Sequence, residues 1–229
     1  VQFGSAGDRL VPGDYDGDGR IDVAVFREGA WYQLRSSDGA FVATGFGQAG
    51  DVPVPADYDG DGQTDLAVFR GGVWYIINSH DYSFRAEQFG LVGDRPVIGN
   101  FDGDLRADLA VFRNGNWYIS ASTAGFYATQ FGIAADRPVA ADYDGDGKTD
   151  IAVYRDGTWY IQRSFAGFTA VQFGLPTDRL VPADYDGDGI TDIGVFRDGT
   201  WYTVGSTAGF KVTDFGQSGD IAVPSAYVP

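Results

Sequence analysis

Short apolar runs of four to seven residues fill this chain, and none keeps the 3.6-residue rhythm of an amphipathic helix. In the first of them, Val23-Ala24-Val25-Phe26-Arg27 and Trp31-Tyr32-Gln33-Leu34 flank Glu28-Gly29. Ile151-Ala152-Val153-Tyr154 is apolar at every position, which suits a strand covered on both faces. The pairs Glu28-Gly29, Gly71-Gly72, Asn114-Gly115, Asp156-Gly157 and Asp198-Gly199 offer the positive φ angles of two-residue hairpin turns. The pattern therefore predicts hairpins of short strands.

The hairpins recur in step. Trp31, Trp74, Trp117, Trp159 and Trp201 are 42 to 43 residues apart, and Phe-Gly follows the same step at Phe3, Phe46, Phe89, Phe131, Phe173 and Phe215. Each unit opens with a short run such as Leu10-Val11-Pro12 and ends with a fourth strand such as Ala40 to Phe46. Four strands per unit of about 40 residues predict an all-β fold, a β-propeller of five four-stranded blades. A ring also leaves no apolar end face uncovered, as a linear stack would. The repeat units run 5–46, 47–89, 90–131, 132–173 and 174–216, with 1–4 and 217–229 as terminal closing segments. Val1 to Gly4 duplicates the end of the fifth unit and Ile221 to Tyr227 repeats a first strand, so an incomplete sixth blade built from both termini is the alternative.

Between the first and second strand of every unit lies an acidic loop of nine residues. The first is Asp14-Tyr15-Asp16-Gly17-Asp18-Gly19-Arg20-Ile21-Asp22. Carboxylates at positions 1, 3, 5 and 9, with the carbonyl of position 7, form the oxygen-rich set that calcium takes. The candidate ligands are Asp14, Asp16, Asp18, Arg20 and Asp22; Asp57, Asp59, Asp61, Gln63 and Asp65; Asn100, Asp102, Asp104, Arg106 and Asp108; Asp142, Asp144, Asp146, Lys148 and Asp150; and Asp184, Asp186, Asp188, Ile190 and Asp192. Arg20, Gln63, Arg106, Lys148 and Ile190 enter through the backbone alone. About five Ca2+ per chain is the expectation. The third loop has an amide at position 1, and Leu105 where its sisters have glycine, so it is expected to bind most weakly. In the tail, Ala226 and Val228 replace the first two acids, and that copy is expected to bind no metal.

Composition agrees. Of 32 acidic residues only Glu28 and Glu87 are glutamate, and the five loops hold 19 of the 30 aspartates. The formal charge of −16 would become −6 with five divalent ions bound, a usual value for a small domain. This balance argues against nucleic acid, which demands a basic face. No apolar run approaches the roughly 20 residues of a membrane helix. There is no cysteine, and the absence of methionine suggests a segment excised from a longer precursor. Calcium loops of extracellular modules bind at roughly 10⁻⁴ to 10⁻³ M, so a secreted or cell-surface location is expected.

The pattern FGIAADRPVAADYDGDGKTDIAVYR at residues 131–155, repeated in phase through nearly the whole chain, resembles the FG-GAP and VCBS-type repeats related to the integrin α-subunit propeller. The resemblance implies calcium in the loop between the first two strands of a blade, and extracellular adhesion or lectin-like recognition of glycans or proteins. Propellers of that family are better known with seven blades.

The remaining motifs favour structure. The Trp-Tyr pairs are expected in the core, and Arg27, Arg70, Arg113, Arg155 and Arg197 are expected to pair with acids such as Asp8, Asp94, Asp136 and Asp178 or to stack on rings. His80, the only histidine, sits in a polar loop. With no cysteine nucleophile, and with the carboxylates accounted for as ligands, the expectation is a non-enzymatic module. A spacer domain and, last, a glycosidase-like enzyme are the other readings.

Overall fold

The computed structural model describes residues 3–223, and these are all strand, turn and loop. Blade 1 consists of β1 (Arg9–Leu10), β2 (Val23–Arg27), β3 (Ala30–Leu34) and β4 (Phe41–Gly45). Blade 2 follows with β5 (Val52–Pro53), β6 (Leu66–Arg70), β7 (Val73–Ile77) and β8 (Phe84–Gln88). Blade 3 comprises β9 (Arg95–Gly99), β10 (Asp108–Arg113), β11 (Asn116–Ala121) and β12 (Gly125–Gln130). Blade 4 comprises β13 (Arg137–Pro138), β14 (Ile151–Arg155), β15 (Thr158–Arg163) and β16 (Gly167–Gln172). Blade 5 comprises β17 (Arg179–Leu180), β18 (Ile193–Arg197), β19 (Thr200–Gly205) and β20 (Gly209–Asp214). Within each blade the strands pair antiparallel in sequence order.

The first strands of all five blades line one axial channel of about 730 Å³, together with Ile221 to Val223. The sheets are thus arranged around an axis as a five-bladed β-propeller. At the second hairpin of each blade both turn residues have positive φ, for example 49° at Glu28 and 90° at Gly29, as a two-residue primed turn requires. That turn sets the register: Phe26 faces Trp31, Phe69 faces Trp74, Phe112 faces Trp117, Tyr154 faces Trp159 and Phe196 faces Trp201.

The tryptophans are core, as expected. Trp31, Trp74, Trp117 and Trp159 are fully buried. Each donates its indole N–H to the carbonyl of the Phe-Gly that ends its blade, at Phe46, Phe89, Phe131 and Phe173. This bond fixes why Phe-Gly and Trp keep a common step. Apolar clusters join blade 1 to 2, 2 to 3, 3 to 4 and 4 to 5, with Val68, Val111, Val153 and Val195 of the following blade inserted beside the preceding tryptophan. Among the described residues no such cluster joins blade 5 to blade 1. Trp201 is accordingly only half-buried, and Phe215 is 76% exposed.

The ends differ from a sixth blade. Phe3 packs edge-on against Phe41 at 6.3 Å, the same contact that Phe46 makes with Phe84, so the N-terminal fragment takes the place of a preceding blade's Phe-Gly. Ile221 to Val223 reaches the channel but forms no strand. The tail positions Ala226 and Val228 lie outside the described residues.

Candidate metal loops and arginine clasps

Each acidic loop is shaped by its own side chains. The position 1 carboxylate turns inward and accepts the N–H groups of positions 4 and 6: Gly17 and Gly19 bond Asp14 at 2.7 and 2.8 Å. Asp57, Asp142 and Asp184 repeat this, and the Asn100 amide oxygen takes the N–H of Gly103 at 2.7 Å. The glycines need their freedom here, since Gly17 and Gly19 have φ of 76° and 80°. Leu105, where the sister loops have glycine, is held at φ 73° in the same conformation, which strains a residue with a side chain.

The position 9 aspartates, at the start of the second strand, are buried. One oxygen of Asp22 accepts the N–H of Tyr15 at 2.9 Å and the other that of Ser36 at 2.6 Å, and the sister loops repeat both bonds. Burial pushes Asp65 and Asp150 up to about 6, and raises Asp22, Asp108 and Asp192, despite those N–H donors. The serine that caps them, Ser36, Ser79, Ser122, Ser164 or Ser206, also bonds the position 5 acid through its hydroxyl. Sequence reading passed over this serine, although it stands 14 residues after position 9 in every unit.

Position 3 stands apart. Asp16, Asp102, Asp144 and Asp186 each bury an Oδ1 that meets no donor. A buried carboxylate oxygen without a partner is costly, so such an atom calls for a cation. Three acids offer oxygens within 4.8 Å of one another at Asp14, Asp16 and Asp18; at Asp57, Asp59 and Asp61; at Asp142, Asp144 and Asp150; and at Asp184, Asp186 and Asp192. With calcium–oxygen distances of about 2.3–2.6 Å, ligands across one ion lie about 4.6–5.2 Å apart, so this spacing fits. The donor set is all oxygen, which suits a hard cation. The third loop lacks a three-acid cluster because Asn100 supplies an amide, yet Asp102 keeps the orphaned oxygen.

Neighbouring loops are tied. The N–H groups of Thr64, Ala107, Thr149 and Thr191 donate to the carbonyls of Asp57's and its sisters' position 1 residues in the preceding blade, Asp14, Asp57, Asn100 and Asp142 respectively, at 2.6–2.8 Å. Position 7 side chains lie over the preceding loop's first glycine, where a Cβ on Gly17 would sit 2.9 Å from Gln63.

At the other end of the second strand the acids are paired. Arg27, Arg70, Arg113, Arg155 and Arg197 each grip one buried aspartate through Nε and Nη2, at 2.5–2.7 Å, the partners being Asp8, Asp51, Asp94, Asp136 and Asp178. The guanidinium groups also stack on Tyr32, Tyr75, Tyr118, Tyr160 and Tyr202 at 4.5–5.0 Å. Both expected roles are filled by the same side chain, and Asp51 completes the set of acids. The Arg27 hydrogen bonds hold Asp8 below the usual carboxylate range. Burial pushes Asp94, Asp136 and Asp178 up, but their arginines and a turn N–H outweigh it and leave them low.

Two stretches of the chain, residues 14–68 and 142–195, match the FG-GAP-like repeat, each spanning two successive acidic loops and the strands between them. These two stretches are FG-GAP-like repeats. The other blades keep the same loop, Trp and Phe-Gly positions in register. No curated protein matches the sequence. Among solved structures, this FG-GAP-like propeller is similar to an Agrocybe aegerita lectin described as recognising non-reducing terminal N-acetylglucosamine, with 17% identity, a TM-score of 0.61, and 90% of this chain aligned to 65% of that one. It is also similar to BBS1N from its complex with ARL6DN, at 18% identity and TM-score 0.53 over 88% of this chain and 64% of that one. A chain of the mitotic checkpoint complex aligns at 12% identity and TM-score 0.55 over 93% of this chain and 72% of its own length. At these identities the likeness is one of fold. The chain spans just under two thirds of the first two proteins' lengths.

Proposed function

We propose that this propeller is a calcium-stapled, non-catalytic recognition module that works outside the cell and binds glycans or protein surfaces. The observation that carries the calcium reading is the orphaned, buried Oδ1 of the position 3 aspartate, found in four loops. Asp14, Asp16, Asp18 and Asp22, with the Arg20 carbonyl, would hold the first ion, and the matching residues of the other loops the rest. Bound calcium would supply the positive charge these carboxylates lack, locking the loops that tie one blade to the next.

The recognition reading is supported by the repetition of polar and aromatic positions around the ring. An enzyme needs one asymmetric constellation, whereas equivalent sites suit weak contacts summed by multivalent ligands. His80, the one candidate imidazole base, is exposed in a loop. A glycan array probed with and without calcium tests the reading. Binding to clustered glycans that disappears with chelator is expected. Binding to no glycan and to no cell-surface protein would leave a spacer domain instead.

A further inference from the structure

In a molecule of near-identical repeats, positions where one blade departs from the rest mark what repetition does not explain. Several such departures meet in the cleft between blades 2 and 3, a polar hollow of about 260 Å³. Arg85 stands on β8 where the other blades place Val42, Tyr127, Thr169 and Lys211, and Glu87 stands where they place Thr44, Thr129, Val171 and Thr213. Across the cleft, Ala107 replaces the threonine of Thr64, Thr149 and Thr191, and Ser120 replaces the larger Leu34, Ile77, Gln162 and Val204. Small residues open the hollow, and charged ones face it.

The charges there are poorly satisfied. The clasp arginines make paired bonds of 2.5–2.7 Å, but Arg85 reaches Glu87 only at 3.3 Å and the Tyr58 carbonyl at 3.4 Å, and its buried Nε has no acceptor. Arg106 lays its stem over Gly60, where a Cβ would lie 3.1 Å from its Cγ, and its guanidinium forms no ion pair among the described residues. Two arginines and one glutamate give the cleft a net charge of +1 within a protein of −16.

Resting on the recognition reading above, we propose that this cleft binds one acidic sugar residue, a monocarboxylate carrying several hydroxyls. A guanidinium pair matches a carboxylate's two oxygens, and the Arg85 Nε would gain the acceptor it lacks. Glu87 and Ser120 then face the ring hydroxyls, Glu87 as acceptor. A dianion such as sulfate would instead meet Glu87 with like charge and offer it no donor. The hollow lies just below the roughly 300–1,000 Å³ of sites for drug-sized ligands, which suits a single ring.

The test uses the calcium-loaded chain, titrated by calorimetry and followed by NMR with D-glucuronate, D-glucose and sodium sulfate. Two variants restore residues that sister blades already use at these positions, R85T and A107T, and their melting temperatures monitor folding. Glucuronate should bind about tenfold or more tighter than glucose or sulfate, and each variant should lose about tenfold or more of that affinity while melting within a few degrees of wild type. Equal binding of glucose or of sulfate, or glucuronate binding that survives R85T, would overturn the proposal. Should neutral glycans on the array bind wild type and R85T alike while glucuronate binds neither, the cleft assignment falls and the recognition reading stands.

Discussion

Each blade buries aspartates at both ends of its second strand, and the two ends treat them in opposite ways. At one end Asp136 and its equivalents are met by an arginine fork, which holds Asp8, Asp94, Asp136 and Asp178 low; at the other, Asp150 and its equivalents are clustered with further acids, and burial pushes them up. The clasp carries its countercharge in the sequence. The loop does not, and its orphaned position 3 oxygens show where the countercharge is missing. A buried carboxylate needs a partner in either case; at the clasp the chain provides it, and at the loop the proposed calcium would.

Removing that calcium should have the largest effect. With free calcium near ten times Kd, linkage gives about 1.4 kcal/mol per site and on the order of 7 kcal/mol for five. That is comparable with the whole stability of many domains, roughly 5–15 kcal/mol. Excess chelator should lower the melting temperature by roughly 15–25 °C for a chain of this size, and magnesium should restore little of it, because it yields its waters reluctantly. Calorimetric scans in chelator, magnesium and calcium read this directly.

Breaking a clasp should cost less and should not depend on calcium. Arg155→Ala leaves Asp136, which is fully buried, without its fork. Because the Arg155 side chain is about one-third exposed, the loss belongs at the low end for buried pairs, about 3 kcal/mol, and denaturant melts should show it equally with and without calcium. A loss that vanished in chelator would tie the clasps to the loops and end the contrast.

The two ends should also separate by pH in metal-free protein. Groups with raised folded values, such as Asp65 and Asp150 at about 6, bind protons more readily when folded, so stability rises as pH falls from 7 through 6 toward the unfolded value near 4. Asp8, Asp94, Asp136 and Asp178 are lowered, so their contribution is present above the unfolded value and is lost as pH falls further, through their folded values. Metal-free protein should therefore be most stable near pH 4–5, by denaturant melts across pH. With calcium bound, acid should instead destabilise from neutrality downward as protons displace the ion.

The smallest expected effect lies within the loops. Leu105→Gly relieves a left-handed leucine that is largely exposed and should stabilise by about 1 kcal/mol, measured by the same melts.

Much of this was legible in the sequence because the repeat writes each element five times. The hairpin turns, buried tryptophans and acidic loops follow from residue type and spacing. The partner of Arg70 was less plain: Asp51 keeps the same 19-residue step as Asp8, Asp94, Asp136 and Asp178, but it is followed by Val52 where those four are followed by arginine. The first strand of blade 1 begins one residue earlier than its apolar run, at Arg9–Leu10 rather than Leu10 to Pro12, although Val11 still donates its N–H to the Ala24 carbonyl. The cleft around Arg85 could not be read from any single unit, as its two walls belong to different blades.

Counting calcium tests the account most directly. Equilibrium dialysis of protein first shown metal-free by elemental analysis should give about five ions per chain at millimolar free calcium, or four if the loop of Asn100 stays empty. Asp144→Asn should remove one of them while the other loops fill. One ion or fewer per chain, together with a melting temperature that chelator leaves unchanged, would mean that the acidic loops are turns held by their own hydrogen bonds and that no metal completes them.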